Sequence, residues 1–76
     1  MIKEHDCVVL TKDLPEDALK AGDIGTVVHI HESAAGYEVE FMTLAGETVA
    51  ITTLLPSQLR AIARRDIARV RELTEA

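Results

Sequence analysis

Aromatic residues are nearly missing from this chain: 76 residues hold one Tyr, one Phe and no Trp. The core must therefore be built from Val, Ile, Leu and Ala, and few rings are present on which nucleic-acid bases could stack. Cysteine is reduced to Cys7. A lone thiol closes no internal disulfide and offers no paired-cysteine zinc spacing. That usage fits a reducing compartment. No apolar run approaches the roughly 18 residues that span a bilayer, and the charged start Met1-Ile-Lys-Glu-His-Asp6 does not read as a signal peptide. A cytoplasmic protein with no membrane contact is expected. Positive charge is short as well, with a formal net charge of −5. At this length one domain is the limit, and folding buries only about 60% of the unfolded surface. That leaves no room for a deep enclosed active site, and no cofactor is expected.

What is present is a strand grammar. Cys7-Val-Val-Leu10 is a β-branched run and reads as a first strand. Pro15, followed by Glu16 and Asp17, suits one helical turn inside a long loop. Lys20-Ala-Gly-Asp-Ile-Gly-Thr-Val-Val-His-Ile-His31 places a turn directly before a second strand, with Gly22-Asp-Ile-Gly25 as a diverging turn and Gly25 to His31 as the strand. Tyr37-Glu-Val-Glu-Phe-Met42 alternates, with Tyr37, Val39 and Phe41 inward and Glu38 and Glu40 outward. Thr43 to Glu47 is a turn, and Thr48 to Thr53 a fourth strand. Pro56 ends it, a short helical turn follows, and Arg60 to Ile62 returns as an edge strand.

A strict period of two fixes an expected register. Val28 faces Phe41, Ile30 faces Val39, His29 faces Glu40 and His31 faces Glu38. Phe41 then faces Val49, and Val39 faces Ile51. This hides Val28, Ile30, Val39, Phe41, Val49 and Ile51 together, and a slip of one residue would expose them. Residues 63–76 contain neither Gly nor Pro. Ile67, Val70 and Leu73 or Thr74 recur at helical spacing, so a short amphipathic C-terminal helix is expected. A helix this short is unstable alone in water, so it must dock or fray. The fold class is thus mainly β: a small five-stranded barrel over residues 1–62 and a helical extension over 63–76.

Val9-Leu-Thr-Lys-Asp-Leu-Pro15, Leu19-Lys-Ala-Gly-Asp-Ile-Gly-Thr-Val-Val28, and Gly36-Tyr-Glu-Val-Glu-Phe41 with Gly46-Glu-Thr-Val-Ala-Ile51 together resemble the DUF4926 family of small bacterial proteins. The likeness covers roughly residues 5–60. It implies an SH3-like barrel, and an antitoxin or immunity role beside small toxin-like proteins. Gly22-Asp-Ile-Gly-Thr-Val27 is also similar to the turn-strand of KOW-type RNA-associated barrels. Those bring basic residues to the turn, whereas here Asp23 follows Lys20.

Several constellations can be weighed on residue chemistry. His29 and His31 share a strand face at about 7 Å spacing, opposite Glu38 and Glu40. Two imidazoles and two carboxylates are a conceivable divalent-metal set. Ordinary cross-strand His–Glu pairs, contributing about 0.2–1 kcal/mol each, are the simpler account, and no metal is expected. Cys7, two residues from His5, reads as a half-buried structural thiol. Ser33 and Ser57 have no adjacent base, and no phosphate-binding glycine loop is present. Nothing here reads as an enzyme. Charge is uneven: residues 1–60 carry ten acids and four bases, and residues 61–76 carry four arginines and three acids. Arg64, Arg65 and Arg69 line one side of the expected helix, with Asp66–Arg69 as an internal pair.

The expected function is a non-enzymatic protein-binding module. Its partner would be another protein, basic and toxin-like, met by the acidic loop Asp13, Glu16 and Asp17, by the outward Glu38 and Glu40, and by Arg64, Ile67, Val70 and Leu73 of the tail. The alternatives are a KOW-like RNA-associated module, disfavoured by the acidity, and a structural subunit of a larger complex.

Overall fold

The computed structural model describes residues 1–32 and 35–73. Five antiparallel strands form one sheet: β1 (Cys7–Leu10), β2 (Ile24–Ile30), β3 (Tyr37–Met42), β4 (Thr48–Leu54) and β5 (Leu59–Ala61). Their order is β4-β3-β2-β1-β5. Each strand falls within a residue or so of the run of β-branched residues that predicts it. Single 3-10 turns occupy Pro15–Asp17 and Pro56–Gln58, where proline supplies the required φ and has no N–H to lose. The sheet does not close into the expected barrel, because β4 and β5 are its two edges.

One face of the sheet is dry. Val8, Leu10, Leu19, Val27, Val39, Phe41, Leu54 and Leu59 form the core, with Ile2, Leu14, Ile30, Tyr37, Val49 and Ala50 packed partly against it. Four of the six residues expected inside therefore belong to the core or its margin, and two do not. Val28 and Ile51 are 40% and 60% exposed. The cause is two irregularities that a strict alternation cannot contain. Val27 pairs with Val39, but His29 pairs with Glu38, so β2 spends one extra residue between Val27 and His29. Before that bulge the odd residues of β2 point inward; after it Ile30 does. On β4, Phe41 pairs with Ala50 and Met42 with Thr48, which leaves Val49 as the extra residue. The inward set of β4 is then Ala50, Thr52 and Leu54, the register partners of Phe41, Val39 and Tyr37. A bulge bends a strand and strengthens its twist, which lets a core this poor in aromatics wrap tightly around Phe41.

Gly25 shows how tight that wrapping is. It is a strand residue facing Phe41 across β3, not the turn residue its type suggests. A Cβ there would lie 2.5 Å from Val39 Cγ1 and 2.8 Å from Phe41 Cε2. The turn itself is Lys20–Asp23, closed by Asp23 N–H to the Lys20 carbonyl at 2.9 Å. Gly22 sits at its third position with φ 97°, a conformation that costs glycine little. The long loop before it is pinned by Leu19, which is buried, by a Leu14–Leu19 bridge, and by Asp13 Oδ1 accepting the Ala21 N–H at 2.8 Å.

The expected C-terminal helix does not form: Ile62–Leu73 contains a turn at Arg64–Arg65 and otherwise irregular backbone, and Thr74 lies outside the described residues. Asp66 explains the break. Its carboxylate accepts the Ala63 N–H at 2.7 Å and its own N–H reaches the Ala63 carbonyl at 3.1 Å. This local side-chain bonding offers the backbone an alternative to the helix. Further on, Arg71 is tied back to the start of β2, two strands away from β5, a separation of about 10 Å. Five extended residues reach about 17 Å, whereas the same five in a helix advance about 7.5 Å. Tethers at both ends favour the longer path.

Candidate partner-binding surface

The outer face of the sheet is where the tail lies. Val9 pairs with Ile24 on one side and Arg60 on the other, so these three side chains form a row across β5, β1 and β2 on the face opposite the core. The tail crosses this row and encloses a groove of about 530 Å³. Its apolar lining comes from Val9 and Ile24 below and Ile62, Ile67 and Val70 above. Val9 is 9% exposed beneath it, yet Ile67 and Val70 remain 89% and 79% exposed. The tail thus covers part of an apolar row while presenting apolar side chains of its own.

Two ion pairs hold the tail in place. Arg60 donates to both oxygens of Asp66, at 2.8 and 3.1 Å. The Arg60 hydrogen bonds and the Ala63 N–H bring the Asp66 carboxyl down to about 2, and Asp66 in turn raises Arg60 above its ordinary value. At the other end Arg71 donates Nε to Asp23 Oδ1 at 2.8 Å, a second hydrogen bond to Asp23 Oδ2, and one to the Ala18 carbonyl at 3.0 Å. Partial burial opposes ionisation of Asp23. The Arg71 hydrogen bonds, the Lys20 N–H and the charges of Arg71 and Lys20 outweigh it, so its carboxyl lies below the usual range. Arg71 is raised correspondingly, chiefly by its hydrogen bonds to Asp23.

Past Arg71 the tail reaches the acidic loop. A smaller hollow of about 190 Å³ is lined by Asp13, Pro15, Ala18, Leu19, Lys20, Arg71 and Leu73. Leu73 is half-buried there and Glu16 is exposed. Two of the regions singled out in the sequence, the acidic loop and the tail, therefore meet at one corner of the molecule. Arg64 lies apart from both hollows, in the turn near Asp66. Arg64, Arg65 and Arg69 make no ion pair among the described residues, and the expected Asp66–Arg69 pair is replaced by Asp66–Arg60.

Residues 4–61 match the family described as a domain of unknown function, DUF4926. The chain belongs to the DUF4926 family. No curated protein and no solved structure matches it. The DUF4926 region contains the whole sheet, both ends of the groove floor and one partner of each ion pair. The roof, from Ile62 onward, lies outside the matched residues.

Within the DUF4926 region the imidazoles and carboxylates are absorbed into local pairs. His31 Nε2 lies 2.8 Å from Glu38 Oε2, and the Thr53 hydroxyl donates to that same oxygen at 2.6 Å. The Thr53 hydroxyl, and then His31, hold the Glu38 carboxyl below its ordinary value. His29 is 3.5 Å from Glu4 rather than opposite Glu40, and Glu40 accepts the Thr48 hydroxyl at 2.7 Å. The His29 and His31 rings meet edge to face at 5.2 Å. The β2 bulge is what moves His29 from Glu40 to Glu38. Among the described residues no group of three or more His, Cys, Asp or Glu side chains is arranged to hold a metal. Cys7 is exposed rather than half-buried, facing outward beside Thr26. Ser57 contributes its backbone carbonyl to the Thr11 hydroxyl at 3.0 Å, and Ser33 lies outside the described residues. No helix among the described residues is long and apolar enough to cross a membrane.

Asp23, Arg60, Asp66 and Arg71 tether the tail, in pairings that the sequence did not suggest. Asp23 and Arg71 are 48 residues apart, and nothing local marks them as partners. The Arg60–Asp66 spacing was hidden by the assumption of a helix, which turns attention to i,i+3 and i,i+4 pairs.

Proposed function

We propose that this protein is a non-enzymatic module that binds another protein, of basic character, across the tail-roofed groove, in an antitoxin-like or immunity-like role. The observation that carries this reading is the exposed apolar strip Ile24, Ile62, Ile67 and Val70 lying next to the acidic loop of Asp13, Glu16 and Asp17. Apolar side chains at the centre of a patch with charge at its rim are the usual anatomy of a protein interface. An anionic rim accelerates encounter with a cationic partner and penalises wrong ones. The open sheet suits an SH3-like scaffold, whose stiffness would present the strip without a large ordering cost. Glu38 and Glu40, occupied by His31 and threonine hydroxyls, contribute to the field of the surface more than to direct contacts.

The test is affinity capture from the native host, comparing the full chain with an Ile67→Lys/Val70→Lys variant. The expected result is a stoichiometric partner of high pI, retained by the natural sequence, released by salt and lost from the variant. Repeated captures without a stoichiometric protein, or with one that the variant retains equally, would refute the reading. Retention of RNA in place of protein would move the function to a KOW-like module.

A further inference from the structure

The two edges of the sheet are guarded very differently. β5 is three residues long, and Arg60 on it donates to the Ala61 carbonyl as well as to Asp66. β4 runs seven residues, Thr-Val-Ala-Ile-Thr-Thr-Leu, with no charge, proline or glycine in a chain that is 28% charged. Among the described residues no strand pairs with its outer side. Natural edge strands are protected by lysine, proline, inward charges or short length, because a bare row of N–H and C=O groups recruits another strand. β4 has only the bulge at Val49, near its start.

We infer that β4 pairs antiparallel with β4 of a second copy of this chain, about a two-fold axis through Ile51, joining the two sheets into one. An isologous contact of this kind must be self-complementary, and the regular stretch of β4 around Ile51 is. The axis sets Ile51 against the second copy's Ile51 and Ala50 against Thr52, and the bulge at Val49 ends the regular pairing on either side. Over Ala50 to Thr52 inward residues meet inward residues and Ile51 meets Ile51, so there each face of one sheet continues into the same face of the other. Ile51, 60% exposed in the single chain, gains a β-branched partner across the axis. Leu44 and Leu55, 92% and 56% exposed at opposite ends of β4, are brought to the same end by the antiparallel arrangement, one from each copy.

Charge does not oppose the contact. Glu47, exposed just before β4, falls at opposite ends of the antiparallel pair in the two copies, and the outward acids Glu38 and Glu40 stand on β3, where the register places Glu40 beside Ile51. Across the axis the two Glu40 positions are three strand spacings apart, about 14 Å, beyond the screening length of about 8 Å at physiological salt. The inference does not depend on the groove reading, since β4 is the edge farthest from the tail.

Sedimentation equilibrium of the full chain, from micromolar to millimolar concentration, tests it. A reversible dimer is expected. Ile51→Lys sets like charges opposite each other on the axis and should weaken the dimer at least about tenfold, with the circular-dichroism spectrum of the fold retained. Ile67→Lys, on the exposed tail, should leave the dissociation constant unchanged. In a Cys7→Ser background, Ile51→Cys should cross-link to a dimer on mild oxidation far faster than Ile67→Cys. A monomer mass at every concentration, a dimer indifferent to Ile51→Lys, or equal cross-linking at both positions would overturn the inference.

Discussion

The sheet and the tail are held by opposite kinds of force. The sheet buries Val8, Leu10, Val27, Val39 and Leu54 almost completely, and its cohesion is non-directional apolar burial. From Ile62 to Arg69 no described residue is even half-buried, and the tail is fixed by two arginine–carboxylate pairs. Ion pairs that are exposed or only partly buried contribute less and weaken with salt, whereas each fully buried aliphatic side chain contributes about 1.5–3 kcal/mol. One polypeptide thus contains a region held by a shared apolar core and a region held mainly by ion pairs.

The largest effect that would break the comparison lies in the sheet. Leu54→Ala should cost about 2–5 kcal/mol by urea denaturation, enough to unfold much of a domain this small. Val28→Ala, one residue outside the core at the bulge, should cost less than about 1 kcal/mol. Equal costs would mean that the bulge is misplaced. A smaller effect is expected at the tether. Arg71→Ala should lower global stability by no more than about 1 kcal/mol, while amide exchange accelerates only in the tail and the Lys20–Asp23 turn. Uniform acceleration across β1 and β2 would show that tail and sheet unfold as one unit.

The smallest effect is on pH dependence. Asp66 and Asp23 both titrate lower in the folded chain than in the unfolded one. Their contribution is therefore complete above the unfolded carboxylate value of about 4. It is lost as pH falls, for Asp66 through about 2. Carboxyl resonances followed by NMR should place Asp66 well below an ordinary aspartate, and Arg60→Ala should return it to the usual range. An unshifted Asp66 in the natural sequence would remove the first tether.

Much of the fold was legible because strands announce themselves through residue type. Cys7–Leu10 and Tyr37–Met42 appear with the bounds their β-branched and alternating runs suggest, and Pro15 and Pro56 each open a short 3-10 turn. Faces were less legible. Alternation fixes parity only until a bulge inserts a residue, and nothing in Val27-Val-His29 says which valine turns inward. The packing of Gly25 and Val39 around Phe41 decides it. The tail misled for a different reason: Ile67, Val70 and Leu73 carry helical spacing, but a segment this short takes its conformation from its attachments.

By itself the sequence determined the number and placement of the strands, the aliphatic character of the core, the excess of acidic charge and the family. These are consequences of local composition and period, which act over a few neighbouring residues. Tertiary structure alone decided which face each residue of β2 and β4 serves, that the sheet stays open, and that Arg71 finds Asp23 across 48 residues. Those outcomes rest on contacts between distant segments, and such contacts are selected by the three-dimensional fit of the whole chain.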